Sequence, residues 1–131
     1  MSRYDTNELA RGRVLVVEDD PAIRMLLQLT LQRMELDVWT AHNGVEALDI
    51  LRERSFDVLM LDFMMPGMTG LELSSWVRHS DPTVPIALLS GCIHLVTEHS
   101  LTAAGITQTF TKPFDIKTVT DWVDSVLPCH A

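Results

Sequence analysis

The chain is short of cysteine, of positive charge and of long apolar runs, and each shortage removes a class of function. Two cysteines, Cys92 and Cys129, in 131 residues are too few for a disulfide framework. Lysine and arginine number 10 against 18 aspartates and glutamates, a formal net charge of −8. A nonspecific nucleic-acid binder needs a positive face for phosphate contacts, so that class is disfavoured. No apolar stretch is long enough to span a bilayer, and the polar N-terminus has no signal-peptide core. A cytoplasmic protein without membrane contact is expected. What is present is globular: 47% hydrophobic and 21% charged residues, in a length that suits one domain with a sizeable core.

The stretch Val58-Leu59-Met60-Leu61-Asp62 stands out. It is an apolar run too short for a helix, ending in a carboxylate, and it suits a strand buried on both faces. Pro66 and Gly67 then force a turn. Asp62 therefore stands where a buried strand reaches the surface, the edge at which open α/β sheets bind ligands. Taken alone, Asp62 reads more readily as the start of a loop, since Asp is common at strand ends and in turns, and the rest of the chain has to overturn that reading.

The remaining elements follow in order. Residues 1–10 read as a loose leader, 11–127 as the domain and 128–131 as a tail. Arg13 to Val17 is a first buried strand, followed by the acids Glu18, Asp19 and Asp20. Asp20 as N-cap and Pro21 at the first helical position start a helix with Ile23, Leu26, Leu27, Thr30, Leu31 and Met34 at helical spacing. Asp37 to Ala41 is a second strand. Asn43-Gly44 is a turn before a helix from Val45 to Arg54, with Val45, Leu48, Ile50 and Leu51 inward. Phe56 to Leu61 is the third strand, and Thr69 to His79 a helix. Ile86 to Leu89 is a fourth strand, ending at Ser90-Gly91. Ile93 to Ala104 is a helix of weaker pattern, closed by Gly105. Ile106 to Thr111 is the fifth strand, ending at Lys112-Pro113, and Asp115 to Val126 the last helix. Five strands alternating with five helices argue for a doubly wound parallel sheet, an α/β architecture.

Such a sheet gathers the residues at its strand ends. They are Glu18, Asp19 and Asp20 from the first strand, Asp62 from the third, Ser90 from the fourth and Lys112 from the fifth. Converging carboxylates repel unless a cation neutralises them, and a hard ion such as Mg²⁺ is the natural partner. A hydroxyl and an ammonium beside them suit a phosphoryl group. Carboxylate, metal and phosphate ligands together point to phosphoryl transfer onto the carboxylate. Each piece has a plainer reading: a solvated acidic turn with a cap, a strand-end hydroxyl, a surface charge. Their complementary chemistry at four strand ends favours function.

These stretches resemble the receiver domains of two-component response regulators. The match lies in Val14 to Asp20, Asp62 to Gly70, Ser90-Gly91, Gly105 and Lys112-Pro113-Phe114, and it runs from about Arg13 to Leu127. The resemblance implies the flavodoxin-like strand order 2-1-3-4-5. It implies Asp62 as phospho-acceptor from the histidine of a sensor kinase or phosphotransfer protein. Mg²⁺ would be bound by Asp19, Asp62 and the backbone carbonyl of Met64, with Glu18 acting through water. Ser90 would bind phosphoryl oxygens, Lys112 would pair with the acyl phosphate, and Pro113 would follow a cis peptide bond. The output would be an unknown protein partner rather than direct contact with nucleic acid, with a phosphorylation-dependent homodimer left open. Beyond its own phosphorylation and dephosphorylation, no enzymatic turnover is expected.

Two positions depart from the family. Thr109 stands where an aromatic switch residue is usual, and the neighbouring Phe110 faces the other way by strand alternation, so it is expected in the core. Gly91 replaces the commoner Ala after the switch hydroxyl. Thr109 keeps open the alternative of a pseudo-receiver, an interaction module not regulated by phosphorylation. An aspartyl-phosphate phosphatase is a further rival, disfavoured because Met64 stands where such enzymes carry a second Asp. The positions that steer hydrolysis in the family correspond to Met64 and Cys92. His42, His79, His94, His99 and His130 lack ligand spacing and are expected at the surface. Trp122 is expected at the core edge or at a partner contact. The chain reads as a stand-alone regulator or a fragment, Met1 and the polar leader favouring the former.

Overall fold

The computed structural model describes residues 10–91 and 96–127. The strands are β1 (Arg13–Val17), β2 (Asp37–Ala41), β3 (Val58–Asp62), β4 (Ile86–Ser90) and β5 (Gln108–Thr111). The helices are α1 (Pro21–Gln32), α2 (Gly44–Glu53), α3 (Gly70–Ser80), α4 (Glu98–Ala104) and α5 (Ile116–Val126). All strand pairs are parallel, in the order β2-β1-β3-β4-β5. This is the doubly wound order expected, with the reversal of winding between β1 and β3.

Alternation along the strands divides the core between the two faces. Val14, Val16, Val58, Met60, Ala87, Leu89 and Phe110 pack with Leu27 and Leu31 of α1 and Val119 and Val123 of α5. Leu15, Val17, Leu59, Leu61 and Ile86 pack on the other face with Ala47 of α2 and Leu73 and Val77 of α3. Phe110 is in the core as expected, and Trp122 meets its ring edge-on at 5.9 Å, which places Trp122 at the core edge.

Local chemistry sets the helix starts. Asp20 accepts from the amides of Ala22 and Ile23, with Pro21 following it. Thr69 and Glu72 form a reciprocal capping box on α3. Asn43, expected in a turn, caps α2 by accepting from the Glu46 amide. Gly105 closes α4 at φ +76, the left-handed conformation expected there. The carbonyls at that end are also tied to α3: Ser74 Oγ donates to Ala104 O and Arg78 to Gly105 O.

Several boundaries and faces differ from expectation. Val45 is 66% exposed rather than inward, because α2 starts at Gly44 and turns Ala47 to the sheet instead. Leu26 lies on the outer side of α1 with Met25 and Leu29. The third strand starts at Val58, two residues after the buried Phe56, and the fifth at Gln108, two after Ile106. The fourth helix begins at Glu98, capped by Thr97, so residues 96 and 97, expected inside it, precede it. Residues 92–95, which hold Cys92, Ile93 and His94, lie outside the described residues, as do residues 1–9 and 128–131 of the expected leader and tail. No described helix is long and apolar enough to cross a membrane.

Candidate functional site

The site forms where β1, β3 and β5 end on one face of the sheet. Glu18 follows Val17 and continues the face of Val14 and Val16, while Asp62 continues the face of Val58 and Met60. Both side chains are buried, Glu18 wholly and Asp62 to 4% exposure. Asp19 is exposed at the mouth. One carboxylate oxygen from each of Glu18, Asp19 and Asp62 lies within 4.8 Å of the others. Asp20, the third acid of the run, faces away and is spent on the α1 cap.

Among the described residues, one ammonium serves the cluster. Lys112 Nζ donates to Asp62 Oδ1 at 3.0 Å and stands 2.6 Å from Glu18 Oε1. The second contact is an ion pair without hydrogen-bond geometry, so the buried Glu18 Oε1 has no hydrogen bond. Glu18 Oε2 accepts from the Asp20 amide at 3.2 Å. The Lys112-Pro113 peptide is cis, as expected.

The electrostatics follow from three neighbouring acids, two of which share one base. Asp62 is pushed up to about 7 by burial and then by the neighbouring Glu18 and Asp19, with Lys112 pulling the other way. Asp19 is held below the ordinary carboxylate value, chiefly by its hydrogen bond with Asp62. Burial lowers the basicity of Lys112, but Glu18 and Asp62 together outweigh it and leave the ammonium more firmly protonated than usual.

Ser90 ends β4 in register with Thr111, and its carbonyl accepts the Lys112 amide at 2.9 Å. Its side chain is buried at the same strand edge. Met64, in the loop after β3, is 62% exposed. Thr109 is half-buried on β5, and Phe110 cannot replace it because it packs on the opposite face. His42, His79 and His99 are exposed, His42 beside Glu46 at 2.6 Å.

Two residues that sequence reasoning passed over shape the site. Gly70 begins α3 against the end of β3. A Cβ there would lie 2.5 Å from the Asp62 carbonyl oxygen and 2.8 Å from Leu88 Cδ1. Its amide donates to Phe63 O at 2.9 Å, closing the loop after the acid. Glycine is a poor helix former, and its place at the head of a helix was the available signal of a close approach. The second is Arg24 of α1, whose Nη1 donates to Glu18 O at 2.9 Å and, less closely, to Asp19 O at 3.4 Å.

Known proteins are similar to this chain in sequence and fold. The family model of the response regulator receiver domain matches residues 14–124. The response regulator protein PilR of Pseudomonas aeruginosa is 34% identical over 119 residues, which are 91% of this chain and 27% of PilR. The chain thus spans about a quarter of that relative's length. Among solved structures, the Vibrio cholerae chemotaxis protein CheY4 superposes with a TM-score of 0.82 at 34% identity, covering 88% of this chain and 98% of that one. The response regulator TrrA of Thermotoga maritima, solved in complex with Mg²⁺-BeF, gives 0.80 at 34% identity over the same shares. With the sheet order and the strand-end residues, these matches place the chain in the receiver domain family of response regulators, the modules that two-component systems phosphorylate on aspartate.

Proposed function

We propose that this receiver takes a phosphoryl group onto Asp62 from the phosphohistidine of a sensor kinase or phosphotransfer protein, with Mg²⁺ as cofactor, and passes the signal on by protein contact. The observation that carries the reading is the placement of Asp62: a buried strand-end carboxylate with Lys112 on one oxygen and two further carboxylates beside it.

The donor set fits a hard divalent ion. It offers three carboxylate oxygens, a buried Glu18 Oε1 that is ion-paired with Lys112 but accepts no hydrogen bond, and more negative charge than one lysine offsets. Asp19, Asp62 and the carbonyl of Met64 would hold the ion, with Glu18 acting through water. When bound, the ion supplies the positive charge that the carboxylates and incoming phosphoryl oxygens lack. The complex of TrrA with Mg²⁺-BeF supports the same choice.

The chain's own groups then divide the work. Asp62 must be ionised to act, and a carboxylate oxygen attacks phosphorus while the phosphorus–nitrogen bond of the donor breaks. The electron pair leaves on the imidazole nitrogen, which takes up a proton. Lys112 already lies on Asp62 and is placed to follow the charge onto the phosphoryl oxygens. The Ser90 hydroxyl donates to those oxygens. A protein donor would meet an apolar rim, because Met64 and Val45 stand exposed at this edge and α1 carries Met25, Leu26 and Leu29 outward.

Acetyl phosphate with Mg²⁺ tests the reading. One phosphoryl mass should appear on Asp62, and Asp62→Asn should abolish it, because an amide lacks the nucleophilic charge. Labelling retained in that variant would sink the assignment.

A further inference from the structure

We propose that Arg24 is a positioning residue for the metal-binding carboxylates: it staples the turn that brings Glu18 and Asp19 into one pocket. The proposal rests on the reading of that pocket as a Mg²⁺ site.

Strand alternation would send consecutive side chains to opposite faces of the sheet. Glu18 keeps the face of Val16, so Asp19 should fall on the face of Leu15 and Val17. Instead its carboxylate lies with those of Glu18 and Asp62. The backbone must therefore leave the strand path after Glu18, and something must hold it there. The two carbonyls of the departing segment, Glu18 O and Asp19 O, both face Arg24 Nη1. Arg24 is itself anchored, since its amide donates to Asp20 O in the opening turn of α1. One planar donor thus holds the Glu18 carbonyl at 2.9 Å and reaches the next, Asp19 O, at a looser 3.4 Å.

A cation near a helix N-terminus works against the helix dipole. Its presence in the second turn of α1 is better accounted for by the loop carbonyls than by the helix. The guanidinium is also half-buried, which limits the ways it can reorient.

The proposal has a sign that electrostatics alone would reverse. Arg24 is a positive charge close to an anionic metal pocket. Deleting it should tighten Mg²⁺ binding if charge were all that mattered, because like charges repel. If placement of Glu18 and Asp19 matters more, deletion should weaken binding.

Mg²⁺ affinity is measured by calorimetry on the wild-type protein, Arg24→Met and Arg24→Lys, alongside the metal-free melting temperature. We expect Arg24→Met to bind about tenfold more weakly and Arg24→Lys about threefold, since an ammonium reaches one carbonyl with less geometric constraint. Acetyl phosphate labelling of Arg24→Met should be slow at low Mg²⁺ and recover at saturation. A purely structural role would lower the melting temperature and leave affinity unchanged. Equal or tighter binding in Arg24→Met overturns the proposal. If that variant does not fold, Arg24→Lys decides, and wild-type affinity there overturns it. Absence of Mg²⁺ binding by the wild-type protein would instead refute the metal site on which the proposal stands.

Discussion

Asp37 and Asp62 are buried almost equally, at 7% and 4% exposure, on opposite edges of the same sheet. At the amino edge, Asp37 Oδ2 accepts from Trp39 Nε1 at 2.9 Å and from Arg13 Nε at 3.1 Å. Asp57 nearby accepts the Arg13 amide at 2.8 Å. Donors there match acceptors, and the network holds the start of β1 against its neighbours. At the carboxyl edge, Asp62 shares one ammonium with Glu18 and faces Asp19 as well. Burial alone does not set the two acids apart; an excess of acceptors over donors does, because the structure then bears an electrostatic cost that a bound cation or a proton would relieve.

The contrast is broken most directly by removing each acid from the metal-free protein. Asp37→Ala should destabilise by about 2–3 kcal/mol, since it strands two donors. Asp62→Asn should instead raise the melting temperature by roughly 5 °C. The sign follows from the raised Asp62 carboxyl. A folded value near 7 against the ordinary 3.8 is a destabilisation, complete above about pH 7 and relieved as pH falls toward 4. Metal-free wild-type protein should therefore gain stability between pH 8 and 5, while Asp62→Asn lacks this component. Asp19, whose value is lowered, titrates below that window. Thermal melts across it check the trend, which saturating Mg²⁺ should flatten.

Gly70→Ala tests whether the acceptor edge is also sterically tight. The added methyl has backbone on one side, so a shift of α3 or of the Asp62 carbonyl is unavoidable. We expect a loss of about 2 kcal/mol and slower labelling of Asp62. Unchanged melting and labelling would mean that the close approach is immaterial.

A subtler comparison separates the adjacent acids. Asp19→Asn should weaken Mg²⁺ binding about tenfold, whereas Asp20→Asn, which keeps a competent cap, should change it less than twofold. Equal losses in calorimetric titrations would show that the acids are divided wrongly. The smallest effect concerns the lifetime of the phosphorylated state. Met64 is exposed in the loop after β3, and its thioether offers no useful hydrogen bond to a hydrolytic water. Met64→Glu should change the decay rate of phosphorylated protein a few-fold, and an identical decay curve would remove Met64 from any such role.

Much of this molecule could be read from local patterns. Alternation and helical spacing are short-range properties, so the five strands, the five helices, the Asp20-Pro21 start and the Gly105 stop are visible in runs of a few residues. Strand ends carrying Glu18, Asp19, Asp62, Ser90 and Lys112 could likewise be picked out, because a buried strand must surface at a definite residue. Faces were less secure. Val45 and Leu26 fit an apolar stripe yet point outward, since the first turn and the phase of each helix depend on what it packs against.

Only the tertiary structure decided how these pieces interact. Lys112 meets Asp62 across 50 residues of sequence, a separation that no spacing rule constrains. Gly70 became necessary only once β4 and the end of β3 occupied the space where its side chain would be. The raised Asp62 carboxyl and the unbonded Glu18 oxygen are properties of several groups at once, set by their mutual distances and burial. The sequence by itself determined which acids, bases and hydroxyls stand at the strand ends. Packing decided that Glu18 and Asp62 share one lysine with Asp19 beside them, because interaction energies depend on distance in space while the sequence orders residues only along the chain.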